Sequence, residues 1–110
     1  MSTRESLILR HCLPSHGSMS PLSAEEVAGL AAALPDWEVG TRLAKAWQFP
    51  DFSQALDFVN RIGALADAED HHPDLFLSWG QVRVELWTHV ANGLTENDFI
   101  LAAKIDELSP

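Results

Sequence analysis

The sequence predicts an α+β fold: a four-stranded antiparallel sheet with its helices packed on one face, in the order α-β-β-α-β-β-α. Two observations carry that prediction. Helix-start residues followed by apolar side chains at helical spacing occur at Ser23, Asp51 and Thr95. Each interval between them holds a pair of alternating apolar runs split by a short turn, so a β-β-α unit occurs twice.

The elements follow in order. Ser23 with Glu26 forms a capping box, and Val27, Leu30, Ala31 and Leu34 continue at helical spacing until Pro35 ends the run. Trp37-Glu38-Val39 and Leu43 to Phe49 read as two strands joined through Gly40-Thr41. Asp51 caps the next helix with Gln54 completing the box, and Phe52, Leu56, Val59, Ile62 and Ala66 form the stripe expected to face the core. Beyond Pro73, Leu75, Leu77 and Trp79 alternate, Gly80-Gln81 reads as a two-residue turn, and Val82, Val84 and Leu86 alternate back. That turn pairs Trp79 with Val82, Leu77 with Val84 and Leu75 with Leu86. Thr95 opens a last helix with Asp98 at its third position, and Leu101, Ile105 and Leu108 mark its buried face. Trp37, Trp47 and Trp79 are expected in the core, while Trp87 falls on the opposite face of its strand with Arg83 and Glu85.

Residues 1–20 differ from the rest, being rich in Ser and carrying Arg4, Arg10 and His11 with a single acid, Glu5. A disordered tail is expected there, and a transit peptide is the other reading of that composition. Residues 21–110 then make one domain, in keeping with a 110-residue chain that is 46% hydrophobic. A net charge of -9, from 7 Lys and Arg against 16 Asp and Glu, argues against a nucleic-acid partner or an anionic membrane surface. No apolar run approaches the roughly 18 residues of a membrane span. One cysteine, Cys12, excludes an intramolecular disulfide and agrees with a reducing, cytoplasmic setting.

The chemistry-bearing stretch is Asp67-Ala68-Glu69-Asp70-His71-His72-Pro73. Pro73 disfavours helical backbone at the residue before it, so the helix should stop near His71 or His72. A helix that reached His71 would place Asp67 and His71 on one face. The hairpin returns the end of its second strand to the start of its first, which brings His89 back beside His71 and His72. Three readings are open for these residues: capping or surface histidines, a zinc site, and metal-free acid–base chemistry near neutral pH. The helical i, i+4 His pair of metalloproteases is absent.

Residues 67–106 resemble the pterin-4a-carbinolamine dehydratase family, with weaker agreement back to about residue 22 through Phe49, Phe52 and Trp37. The motifs that carry the resemblance are Asp67, His71-His72-Pro73, Trp79, Thr88-His89, Gly93-Leu94-Thr95 and Asp98. Two departures stand out: Asp67 is a methylene shorter than the Glu common there, and Val90-Ala91-Asn92 follows His89 where an acidic or small polar residue is common. The resemblance implies a cofactor-free and metal-free dehydratase that converts 4a-hydroxytetrahydropterin to quinonoid dihydropterin in tetrahydropterin recycling. It also implies His71, His72 and His89 as the catalytic group, with His71 and His89 as the acid–base pair. Asp67, Asp70, His71, His72, Pro73, Thr88 and His89 would bind the pterin, with His72 orienting it and Asp67 holding a histidine or the ring. A homodimer or homotetramer is expected on the same ground. The alternative is a non-catalytic protein-binding or transcriptional coactivator module on the same fold.

Overall fold

In the computed structural model, which describes residues 2–13 and 20–109, all three expected helix starts are present. Ser23 and Glu26 close their capping box at the head of α2 (Ala24–Ala31). The Asp51 carboxylate accepts from the Gln54 amide at 2.8 Å and starts α3 (Phe52–Glu69). At the head of α4 (Glu96–Leu108), the Thr95 amide donates to Asp98 Oδ2 at 2.9 Å. The strands are β1 (Glu38–Val39), β2 (Leu43–Gln48), β3 (Asp74–Ser78) and β4 (Gln81–Leu86), all antiparallel, in the order β1-β2-β4-β3. Leu43, Val82, Val84 and Leu86 point to the helix-covered face and are fully buried there against Phe58, Ile62, Phe99 and Leu101.

Four features differ from expectation, each for a tertiary reason. Residues 3–9, expected within a tail, form a seven-residue helix α1 (Thr3–Leu9) capped by Ser2, whose side chain accepts from the Glu5 amide at 3.1 Å. So short a helix is unstable alone. It exists by packing on α4, where Leu7 is buried and the Lys104 ammonium donates to the Ile8 carbonyl at 2.7 Å. This explains α4 as well. With α3 on one flank and α1 on another, every residue from Asn97 to Ala103 is buried, so no one-sided stripe marks the helix. Residues 14–19 of the expected tail lie outside the described residues.

The stripe on α3 is rotated from the one expected. Ala55, Phe58, Ile62, Ala66 and Glu69 are buried, whereas Phe52 and Leu56 are 44% and 39% exposed. Phe58 wins the core because it lies against two other rings, Trp47 at 5.0 Å and Phe49 at 5.3 Å between centroids. The hairpin register is two residues off: Leu77 faces Val82 and Leu75 faces Val84, so the turn is Trp79-Gly80. A slip of two leaves every side chain on its expected face. The turn is drawn to this place by β2, since the Phe49 amide donates to the Gly80 carbonyl at 2.8 Å. A Cβ on Gly80 would meet the Phe49 carbonyl oxygen at 2.9 Å, which makes glycine necessary there. Trp79, in the turn, is 68% exposed and does not join Trp37 and Trp47 in their edge-on packing.

The rotated stripe has a direct consequence for stability. Phe58→Ala should cost about 3–5 kcal/mol in urea denaturation, and Phe52→Ala about 0.5 kcal/mol or less. Equal losses would return the core to the face first expected.

Candidate active site

The site is built at the C-terminal end of α3. That helix stops at Glu69 because Asp70 takes the left-handed conformation (φ 52°, ψ 40°). Its amide and that of His71 cap the last turn by donating to Asp67 and Ala66 carbonyls at 3.3 and 3.2 Å. The stop therefore falls two to three residues before the point expected from Pro73. A left-handed residue followed by extended backbone sends the two histidines apart.

His71 turns inward and is 5% exposed, with Nε2 2.7 Å from Asp98 Oδ1. His72 stays at the surface with Nε2 2.9 Å from Asp67 Oδ1. Asp67 thus pairs with His72, and the helix-face partnership of Asp67 with His71 does not form.

Asp98 is the centre of the buried side of the site. It is fully buried at the first turn of α4, where the helix dipole favours a negative group. Its Oδ2 accepts from the Thr95 amide and the Thr88 hydroxyl, each at 2.9 Å, and the Thr88 and Thr95 hydroxyls are 2.8 Å apart. Both oxygens of the carboxylate are therefore occupied: one by the cap and the threonine, the other by the imidazole. A carboxylate is an acceptor, so Nε2 of His71 carries the proton in that contact and fixes the tautomer. In the neutral ring, Nδ1 is then the atom free to accept a proton.

His89 arrives from the other direction. β4 ends at Leu86, and Thr88 bridges to Gly93, with the Thr88 amide donating to the Gly93 carbonyl at 3.0 Å. The bridge closes a tight loop in which His89–Ala91 form a 3-10 turn and Asn92 is left-handed (φ 52°). His89 is exposed and lies against the Trp87 ring, 4.3 Å between centroids. The Arg42 guanidinium covers the same indole at 4.9 Å and also reaches Asp74 and Glu85, at 2.9 and 3.3 Å.

Between these two arms lies a pocket of about 340 Å³ lined by residues 70–74 and 87–90, within the size range of small-molecule sites. Of the residues singled out from the sequence, Asp70, His71, His72, Pro73, Thr88 and His89 line it. Asp67 does not, and touches the site through His72. Trp87, Asp74 and Val90 also line it. Asp98, read from the sequence as a helix start and as part of the family motif, was not assigned to the site, because its capping position already accounted for it. Among the described residues no group of three or more His, Cys, Asp or Glu side chains is placed to share a metal ion. No helix among them is long and apolar enough to cross a membrane.

Fold and pocket together define a class: a small α+β domain whose sheet hairpin and helix ends present imidazoles around a ligand-sized cleft. The family model for pterin 4 alpha carbinolamine dehydratase matches residues 20–108, and the chain belongs to that family. A relative in Methylococcus capsulatus, provisionally named a pterin-4-alpha-carbinolamine dehydratase, is 48% identical over 107 residues, 94% of each chain. One in Chlorobium limicola with the same provisional name is 53% identical over 103 residues, covering 87% of this chain and 91% of the relative. A crystal structure from Brucella melitensis, titled a transcriptional coactivator/pterin dehydratase, superposes with a TM-score of 0.78 at 31% identity over 83% of this chain and all of that one. A pterin dehydratase-like RuBisCO assembly factor of the alpha-carboxysome shares the fold, with a TM-score of 0.55 at 22% identity over 66% of this chain and 84% of its own.

The buried carboxylate makes a stability prediction. Asp98→Ala strips partners from the His71 ring, the Thr88 hydroxyl and the Thr95 amide, each a buried polar group worth about 1–3 kcal/mol when left unsatisfied. Urea denaturation should show a loss of at least about 2 kcal/mol; a loss near zero would mean the network is not formed in solution.

Proposed function

We propose that the chain catalyses dehydration of 4a-hydroxytetrahydropterin to quinonoid dihydropterin by histidine acid–base chemistry, as a step of tetrahydropterin recycling. The observation that supports this most is the placing of His71, tethered to buried Asp98, and of His89 on the same small pocket. Hydroxide is a poor leaving group, so an acid must protonate the 4a oxygen as the C4a–O bond breaks. The ring nitrogen beside C4a loses its proton to a base, and its N–H electron pair becomes the new C=N bond. Water leaves, and no electrons are gained or lost overall, so the reaction asks for no redox cofactor.

In this reading His71 is the base. Its Nδ1 takes the ring proton, and Asp98 at 2.7 Å from Nε2 stabilises the imidazolium that results. His89, open to solvent on the Trp87 face, is the acid and is reprotonated from water between turnovers. His72, held by Asp67, orients the pterin at the pocket rim together with Asp70 and Pro73. Thr88 acts from behind, since its hydroxyl is committed to Asp98.

A second reading comes from the Brucella structure, whose title pairs dehydratase with transcriptional coactivator. A binding module would keep the fold and tolerate loss of the imidazoles. Turnover separates the two. Purified chain should accelerate 4a-carbinolamine dehydration in the presence of a metal chelator, with His71→Ala and His89→Ala each lowering kcat about 10²–10⁴-fold. Undiminished rates in the double variant would end the acid–base reading, and inhibition by chelation would replace it with a metal-dependent one.

A further inference from the structure

Residues 10–13, leaving α1, cross the ends of α3 and α4, and two buried polar side chains receive them. Glu69, the last residue of α3, has a side chain only 6% exposed. It accepts from the Cys12 amide at 2.7 Å and faces His11 Nδ1 at 2.8 Å. Asn97, in the first turn of α4, is 1% exposed. Its amide makes a two-way pair with the Leu13 backbone: the Leu13 N–H donates to Oδ1 at 2.9 Å, and Nδ2 donates to the Leu13 carbonyl at 2.7 Å. Cys12 spans both anchors, because its thiol also reaches the Asn97 carbonyl at 3.6 Å. Burial, and then the Glu69 carboxylate, push that thiol up to about 12, so its part is packing and not nucleophilic attack. Burial also works against the Glu69 charge, but the Cys12 amide, His11 and Lys104 outweigh it and hold its pKa below the ordinary carboxylate value.

Neither anchor lines the pocket. Their positions in the chain are nevertheless telling. Glu69 lies two residues before His71, and Asn97 immediately precedes Asp98. The His71–Asp98 contact joins the C-terminal end of α3 to the N-terminal end of α4, and at 2.7 Å it tolerates little shear between them. The segment that ties those same two helix ends together lies outside residues 20–108, the part that the family model matches.

We propose that residues 10–13 form a strap, anchored on Glu69 and Asn97, that sets the spacing of the two helix ends and so positions His71 against Asp98. Glu69 and Asn97 are then positioning residues for the dehydration. The proposal rests on the reading of His71 as the base, but its main readout does not need turnover.

The test uses the full chain with Asn97→Ala, Glu69→Ala and the double variant, followed by 15N NMR. Hydrogen exchange of the Cys12 and Leu13 amides reports release of the strap, and exchange of the His71 ring N–H reports its contact with Asp98. Release should speed both kinds of exchange at least tenfold and lower kcat at least fivefold with KM within twofold. Glu69→Gln, which keeps an acceptor for the Cys12 amide, should retain most of the wild-type behaviour and gives a folded comparison if the alanine variants are too unstable. In that event Asn97→Ser, which loses the two-way pair with Leu13, replaces Asn97→Ala. A strap that stays protected in the variants, or one that opens while the His71 N–H exchanges at the wild-type rate, overturns the proposal. A wild-type chain without dehydratase activity but with coupled exchange would sink the functional reading and leave the positioning role intact.

Discussion

A single buried contact, His71 Nε2 against Asp98 Oδ1, ties the parts of this molecule together. A fully buried carboxylate is costly unless its oxygens are matched by donors. Here the donors come from three different places, the imidazole after α3, the Thr88 hydroxyl after β4 and the Thr95 amide, and the dipole at the head of α4 adds to them. Meeting that one demand brings three segments to a common point. The same contact fixes which ring nitrogen of His71 holds a proton, so the requirement that stabilises the corner also sets its chemistry.

Much of this was legible in the chain. Capping residues at Ser23, Asp51 and Thr95 gave the helix starts, and the alternation around Gly80 gave a hairpin whose geometry returns His89 to the His71-His72 corner. Most of what escaped shares one cause: it depends on partners distant in sequence. Leu7-Ile8-Leu9 is too short to announce a helix and becomes one only on α4. Phe58 displaced Phe52 and Leu56 from the core because Trp47 and Phe49 wait for its ring. The hairpin slipped by two because Phe49 binds Gly80. Asp98 read as a cap, which it is, and nothing local says that a cap also holds an imidazole 27 residues away.

The two carboxylates at the corner divide the work by burial. Asp67 is exposed and holds an exposed histidine, an arrangement that solvent screens and that suits a group meeting a ligand at the rim. Asp98 is sealed from water, where its interaction with an imidazolium formed in the proposed reaction would be much stronger. On the other arm, His89 pairs with no carboxylate among the described residues and leans on Trp87, itself covered by Arg42. Two imidazoles in such unlike surroundings are suited to unlike proton-transfer roles, as the proposed dehydration requires.

In the proposed reaction one ligand meets both arms of the pocket. The direct test is an NMR titration of 15N-histidine-labelled chain with a dihydropterin that lacks the 4a hydroxyl and so binds without reacting. Saturable shifts are expected in the ring nitrogens of both His71 and His89, with His11 unmoved. Saturable binding that leaves His71 and His89 unshifted would contradict the proposed reaction.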